Sequence, residues 1–286
     1  MWEKYMKKRG VSAWRILSAL PMFLALLLVS CTNMLAELRG KSVLPVTYIG
    51  TKAPTEAKAV GDIVFTDGSA TPYSADLTLT DAQKAAAIAV IFYVGTECSN
   101  DTSSRTLGVG LVHNTSGLAW CTQIAHAYYK VITAIQCPRG GHDGAYTFSR
   151  DKDGSDNLEQ IGTFLANNSS VNDIENEAEY PAFYFAKNYR NQMGSHVSGT
   201  RYEKGWYLPT VCELFYIQKN KATVDAASSL CGGSQFGTSS LFERRWYWSS
   251  TQGEDYNRAY SDCDEFGGTC LKDLDIGRVC CIRAFD

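Results

Sequence analysis

Cysteine is the residue type in this sequence with the widest range of possible chemistry, from lipid attachment to metal binding and disulfide formation. The chain contains ten cysteines. Cys31 ends the segment Leu28-Val29-Ser30-Cys31, in which small residues precede a thiol that could accept a diacylglycerol. The other nine are odd in number and lack zinc-finger spacing, so they specify neither a disulfide framework nor a zinc site.

Some of these cysteines are expected to be small buried residues rather than reactive groups. Cys212 and Cys231 fall within apolar helical patterns. Cys280 and Cys281 are adjacent in an apolar run of strand length. Because neighbouring strand positions face opposite sides, we predict that only one of this pair enters the core.

Histidine and aspartate supply the other possible metal ligands. The four histidines are scattered without metal-ligand spacing: His113, His126, His142 and His196,. The segment Asp151-Lys152-Asp153-Gly154-Ser155-Asp156 could offer oxygen atoms to calcium, although its glycine comes too early for an EF-hand loop,. Alternatively, Asp156 only caps a helix. We predict no metal site and no cofactor.

The first 30 residues have the composition of a signal peptide. Basic residues at positions 4–9 precede an apolar segment, residues 16–29, that is shorter than the roughly 20 residues a membrane span needs,. The sequence up to Cys31 resembles a bacterial lipobox. We therefore predict a lipoprotein signal peptide at 1–30, lipidation of Cys31, and display on the cell surface through an anchor in the outer membrane. A plain secretory signal or a short membrane anchor is the alternative.

Charge limits the partners of the mature chain. The leader holds five of the 27 basic residues and one of the 30 acidic residues, which leaves residues 31–286 with a formal net charge of −7. An acidic domain without a basic stripe is a poor candidate for binding nucleic acid or an anionic lipid surface. Contact with the membrane is therefore expected through the lipid alone, and we expect a monomer.

Local patterns predict a tether at residues 31–60, partly disordered, and one mixed α+β domain at 61–286. Capping boxes are expected at Thr80 with Gln83 and at Thr210 with Glu213. Helices are predicted at 120–135, at 157–166, from Pro181, from Thr210, and from Thr223 to Gly232. Strands are predicted at 61–66, 88–94, 107–112, 246–251 and 279–285. A common core is predicted from five residues: Leu208, Leu214, Phe215, Trp248 and Ile282.

Between the last two predicted strands lies a polar segment, residues 253–277, that is rich in Asp, Tyr, Gly and Arg. An ordinary solvated loop is the simplest interpretation. A binding surface is the other, because tyrosine gives rigid contact area and charged residues give complementarity to a partner.

Three motifs occur in a fixed order: Gly205-Trp206-Tyr207-Leu208-Pro209-Thr210, then Tyr247-Trp248-Ser249-Ser250, then Arg278-Val279-Cys280-Cys281-Ile282-Arg283. With the segment at 61–68, they make the chain after about residue 60 resemble the C-type-lectin-like domain of the formylglycine-generating-enzyme type. Within that group it resembles the variable proteins of diversity-generating retroelements. The resemblance implies an α+β C-type-lectin-like fold with small antiparallel sheets, flanking helices and much irregular loop.

The resemblance also implies a variable ligand-binding face at about 244–278. Ligand binding is expected at Tyr247, Asp255, Tyr256, Asn257, Arg258, Tyr260, Asp262, Asp264, Phe266, Leu271, Asp273, Asp275 and Ile276. All of these except Tyr247 and Phe266 are expected to project into solvent as one contiguous patch. In this family changes are directed at template adenines, so an asparagine codon can become any of these residues but not those at Trp248, Gln252 or Lys272. Glu254, Cys263 and Glu265 stay unassigned.

The expected function is therefore a lipid-anchored surface protein that binds a macromolecular ligand, most simply a protein, and is not an enzyme. The cysteine pair of the formylglycine-generating enzyme has no counterpart after Gly232-Gly233-Ser234, so its oxidase chemistry does not carry over. The alternatives are an enzyme or metal-dependent protein of that type, or a structural surface lipoprotein without a specific ligand.

Overall fold

The fold is mixed α+β, with small antiparallel sheets and few helices. The computed structural model describes residues 47–142, 145–169, 173–236, 246–261 and 268–286. The predicted signal peptide, Cys31, Asp262, Asp264 and Phe266 lie outside the described residues. Within them, no helix is long and apolar enough to cross a bilayer.

The described residues contain twelve strands and five α-helices. The strands β1 to β12 are Ile63–Phe65, Ala70–Thr71, Ala87–Gly95, Arg105–Gly110, Asn114–Leu118, Arg139–Gly140, Thr147–Phe148, Trp248–Gln252, Arg258–Ser261, Gly268–Leu271, Gly277–Val279 and Ile282–Ala284. The helices α1 to α5 are Asp81–Ala86, Asn157–Ser169, Pro181–Lys187, Val211–Lys219 and Lys221–Leu230. Short 3-10 turns lie at Thr133–Ile135, Gly154–Asp156 and Tyr189–Asn191.

The central sheet has five antiparallel strands in the order β12-β4-β3-β1-β2. Its longest strand, β3, is an apolar run whose first seven residues are buried. On one face, Ile91 belongs to a core cluster that includes Trp120, Tyr180 and Trp248. On the other, Phe92 packs with residues of α4 and α5. The sheet is therefore covered on both faces, which explains why β3 reads as continuously apolar instead of alternating.

This two-sided core corrects the prediction of a single common core. Leu208 and Trp248 belong to one cluster, whereas Leu214 and Ile282 belong to the other. Phe215 is half-buried and contacts other rings near the surface.

The last predicted strand, 279–285, is divided in two, which also corrects the prediction for the adjacent cysteines. β11 pairs with β5, and β12 pairs with β4. Cys280 and Cys281 lie between them and are both fully buried, one in each core cluster. The two side chains do face opposite sides, but both sides are packed, so both enter the core.

Predictions that depend on neighbouring residues are confirmed. Both capping boxes form, at Thr80 with Gln83 and at Thr210 with Glu213. Pro181 occupies the first helical position of α3. Gly232 has φ +77° after α5, the conformation expected at a helix end, although this helix begins at Lys221 rather than at 223,.

Two predictions about irregular segments are wrong. Residues 120–135 do not form an α-helix but a series of turns that ends in the 3-10 turn Thr133–Ile135. The domain boundary predicted at residue 61 lies too late, because the compact unit begins at Tyr48. There Lys52 exchanges backbone hydrogen bonds with Ala70, and the backbone N–H of Ile49 donates to Asp67 Oδ2 at 3.0 Å.

Candidate ligand-binding face

The predicted polar insertion is built on a small sheet rather than an irregular loop. Strands β8, β9 and β10 form an antiparallel sheet in the order β10-β9-β8. Every residue of β8 is buried. In β9, Ala259 and Ser261 are buried while Arg258 and Tyr260 are half-buried, so the strand alternates between core and surface,.

The turn between β8 and β9 is held by one buried side chain. The amide of Gln252 donates to the carbonyl oxygens of Asp255 at 3.0 Å and Arg258 at 3.1 Å. A Cβ at Gly253 would lie 2.9 Å from the Arg258 oxygen, so the tight turn needs glycine there. This arrangement presents Asp255 and Tyr256 to solvent.

Lys272 joins this turn to the segment after Trp120. Its side chain is fully buried, and Nζ donates to the carbonyl oxygens of Tyr256 at 2.8 Å and Ala127 at 2.9 Å. Two longer contacts reach the carbonyls of Tyr128 and Lys130. The ammonium also lies 4.8 Å from the ring centre of Trp120. Burial lowers the pKa of Lys272 to about 8,.

As a result, the segment predicted as a helix at 120–135 joins the predicted face. Tyr129 is 62% exposed and its ring centre lies 5.6 Å from that of Tyr256, which is 50% exposed. We call these two residues the exposed aromatic pair. Ile124 in the same segment is 71% exposed, and Gln123 Nε2 donates to Asp273 Oδ2 at 2.6 Å.

Helical spacing gave no sign of this surface. It would place Ile124, Tyr128, Val131 and Ile135 on one side of a helix. In the structure Tyr128 and Ile135 are buried, whereas Ile124 and Val131 are exposed. The feature of the sequence that could have indicated this surface is the pair of adjacent tyrosines, Tyr128 and Tyr129. Neighbouring residues in a turn can point to opposite sides, so one of the two can be exposed while the other is buried.

The predicted ligand residues differ in exposure. Four are exposed: Asp255, Tyr256, Asp275 and Ile276. Five are half-buried: Asn257, Arg258, Tyr260, Leu271 and Asp273. Asp262, Asp264 and Phe266 lie outside the described residues. Trp248, Gln252 and Lys272, which the codon argument excludes from variation, are all fully or almost fully buried.

Tyr247 does not belong on the face. Its side chain is 1% exposed, and its hydroxyl lies 2.9 Å from His113 Nδ1. Phe236 packs against both rings. Burial lowers the pKa of His113 to about 3, so this histidine is neutral,. Tyr247 therefore supports the sheet from inside.

A buried polar network fixes the start of α4 behind the face. Arg105 Nη1 lies 2.9 Å from Asp153 and 3.1 Å from Glu213, and the Tyr207 hydroxyl donates to Glu213 at 2.8 Å. Burial, opposed by the charge of Arg105, raises the pKa of Glu213 to about 7. Arg105 stays charged and is shared by the two acids, so this network is structural.

The acidic segment at 151–156 and the adjacent cysteines do not assemble into a site. Asp151 accepts from Asn100 at 2.8 Å, Asp153 pairs with Arg105, and Asp156 accepts from the Gln160 side chain at 2.7 Å. Among the described residues, these three acids do not come together as a calcium site. Cys280 and Cys281 are both inaccessible.

Comparison with known proteins does not identify a family for this chain. No protein-family model matches the chain, and no curated protein matches it. The crystal structure of a fimbrial protein from Bacteroides ovatus matches with a TM-score of 0.47 and 14% identity, covering 79% of this chain and 48% of that one. This chain thus spans about half the length of that protein. A likeness this distant identifies no function.

Proposed function

We propose that this protein is a lipid-anchored protein of the cell surface that binds a macromolecular ligand through its C-terminal face. The observation that carries the proposal is the exposed aromatic pair, Tyr129 and Tyr256, on two turns that the buried Lys272 holds together. Exposed tyrosines on a fixed backbone lose little conformational entropy on binding, which is why tyrosine is enriched at interfaces.

The chemistry around the pair favours a protein partner. Asp255 and Asp275 are exposed, and the guanidinium of Arg258 donates to the Thr269 carbonyl at 2.7 Å. Aromatic contacts beside carboxylates suit a partner that offers apolar and basic side chains. The net charge of −7 for residues 31–286 disfavours nucleic acid,.

We further propose that the domain is C-type-lectin-like, of the formylglycine-generating-enzyme type, and that a retroelement diversifies its face. Its motifs resemble those of the variable protein of Treponema. The difference in burial between residues that can and cannot vary in the segment at about 244–278 supports this proposal. Residues excluded by the codon argument, such as Gln252 and Lys272, hold the backbone from inside, whereas permitted residues such as Tyr256 and Ile276 are exposed. Substitutions at exposed positions would change the ligand without unfolding the domain.

A binding experiment tests the function. An array of purified extracellular proteins is probed with the purified protein and with Tyr129→Ala and Tyr256→Ala. We expect at least one specific partner, with a loss of affinity of roughly 30-fold in each variant, the size of an interface anchor. Met193→Ala is the matched control, because Met193 is 96% exposed and outside the face. Equal loss in the control, or binding that neither tyrosine affects, would contradict the proposal.

Sequencing tests the diversification. The gene and its flanking DNA are read in many clones of one population. We expect an imperfect repeat of the 3′ coding end, with differences at template adenines and in codons such as those of Tyr256 and Ile276. Differences concentrated at Trp248 or Ile282, or spread without regard to adenines, would argue against it.

A further inference from the structure

Three side chains of metal-binding type meet where the turns after Trp120 contact the segment before α3. They are His126, Asp173 and Glu179, and one possible ligand atom from each lies within 4.8 Å of the others. His126 Nδ1 is 2.9 Å from Asp173 Oδ2, although the two residues are 47 positions apart in the sequence. The His126 backbone N–H donates to the same oxygen at 3.1 Å.

The backbone around the three residues is fixed by further hydrogen bonds between the two segments. Thr122 donates from its backbone N–H to the Glu179 carbonyl at 2.9 Å and from its hydroxyl to the Ala178 carbonyl at 3.0 Å. The Ala127 N–H donates to the Tyr180 hydroxyl at 3.3 Å. The side chains therefore meet on a set backbone.

Two carboxylate oxygens in the group are buried without a well-aligned hydrogen-bond donor, although the Tyr180 hydroxyl and the Glu179 carboxyl lie beside Asp173. The two oxygens are Asp173 Oδ1 and Glu179 Oε2. The Asp173 side chain is only 8% exposed. The Asn176 side chain donates to the other carboxylate oxygen, Glu179 Oε1, at 2.7 Å. This bond therefore does not satisfy Glu179 Oε2. Burying an acceptor without a donor is costly, and two facing carboxylates need a shared proton or a cation.

We propose that His126, Asp173 and Glu179 bind a divalent transition-metal ion of the zinc type. Calcium and magnesium prefer oxygen ligands, whereas an imidazole beside carboxylates suits zinc and its neighbours in the periodic table. Ligand atoms around one tetrahedral zinc ion lie roughly 3.4 Å apart. The ligand atoms of the three side chains lie within 4.8 Å of one another and would have to close around the ion. His126 is exposed, which gives the ion a route and leaves a position for water.

Binding requires no redox step. The ion forms one bond to a ring nitrogen of His126 and one to an oxygen of each carboxylate, and the proton shared by the two acids passes to water. The ion would tie the turns that carry Tyr129 to the segment before α3. The inference does not rest on the proposed ligand-binding function.

Calorimetry tests the site directly. The purified full chain is treated with a chelator, dialysed and titrated with zinc chloride. We expect one ion per chain, and an affinity reduced roughly tenfold or more in His126→Ala and in Glu179→Gln. His142→Ala and Glu175→Gln are the matched controls and should bind as the parent does, because both residues are exposed and outside the group.

A second measurement excludes binding by thiols, since the chain has many cysteines. With cobalt(II) in place of zinc, nitrogen and oxygen ligands give visible ligand-field bands without thiolate charge transfer. Zinc should also raise the thermal midpoint of the parent but not of His126→Ala. Without metal, the midpoint of this variant should fall only slightly, because an exposed side chain loses one hydrogen bond to Asp173,. No bound ion, a thiolate spectrum, or an affinity unchanged in both variants would overturn the proposal.

Discussion

At the scale of single residues, Lys272 has the most consequential environment. A buried ammonium is costly to desolvate, and here its compensation comes from backbone carbonyls and an indole ring instead of a carboxylate,. Because those carbonyls belong to two different turns, one side chain determines whether the exposed aromatic pair is held together.

Replacing this lysine should therefore destabilise the protein. We expect Lys272→Met to lower the free energy of unfolding by about 2–4 kcal/mol, because the carbonyls of Ala127 and Tyr256 lose their buried donor. Equilibrium unfolding in urea measures the loss. Lys130→Met is the control, since Lys130 is exposed and should change stability by about 0.5 kcal/mol or less,. Equal effects would contradict the role assigned to Lys272.

The raised pKa of Glu213 predicts that the stability of the protein depends on pH. Its folded pKa of about 7 lies above the ordinary 4.5, so the folded chain binds this proton more tightly than the unfolded chain. The stabilisation of the folded state by protonated Glu213 is full below about pH 4.5 and is lost as the pH rises to about 7,. Glu213→Gln cannot titrate, so its stability deficit relative to the parent should shrink by about 2–3 kcal/mol between pH 4.5 and 8.

Urea unfolding of the parent and of Glu213→Gln across that pH range measures the difference in their free energies of unfolding. Glu159→Gln, an exposed acid on α2, is the control and should show a constant difference. A difference that is equally constant for Glu213→Gln would show that Glu213 is ionised throughout, paired with Arg105.

At the scale of elements, β8 is the platform of the candidate face. All five of its residues are buried, and it lies between the core and the strands that carry the predicted ligand residues. Trp248 at its start is fully buried, and its indole N–H donates to the Leu118 carbonyl. A Cβ at Gly277 would lie 2.2 Å from the indole nitrogen of Trp248. The large side chain at 248 therefore requires a glycine at 277.

Truncating this tryptophan should be among the most damaging single changes. We expect Trp248→Ala to cost about 3–5 kcal/mol through the cavity it leaves. Thermal or urea unfolding measures the cost, and Met193→Ala serves as the surface control. A cost within about 0.5 kcal/mol would place Trp248 at the surface and contradict the arrangement.

At the scale of the whole molecule, the proposed lipid anchor would decide where the candidate face is displayed. We expect Cys31→Ala to abolish labelling by a radioactive fatty acid and to release the protein into the soluble fraction, because no thiol remains for the lipid at that position. Cys98→Ala is the control, since Cys98 is buried in the domain and should leave labelling unchanged. Label that persists in Cys31→Ala would refute the lipoprotein assignment.

Much of the local structure was determined by the sequence alone. The capping boxes at Thr80 and Thr210, the helix start at Pro181 and the left-handed turn at Gly232 all follow from residues within three or four positions of each other. Such interactions form in any fold that contains the element. The mixed α+β class followed from the same signals.

What only the tertiary structure decided depends on residues far apart in the chain. Packing on both faces of the central sheet buried Cys280 and Cys281 together and divided the predicted core. Lys272 reached carbonyls near residue 127, and His126 met Asp173, through contacts that no periodicity encodes. The physical reason is that strand order and register bring such residues together, and the period of a single segment carries no information about its partners.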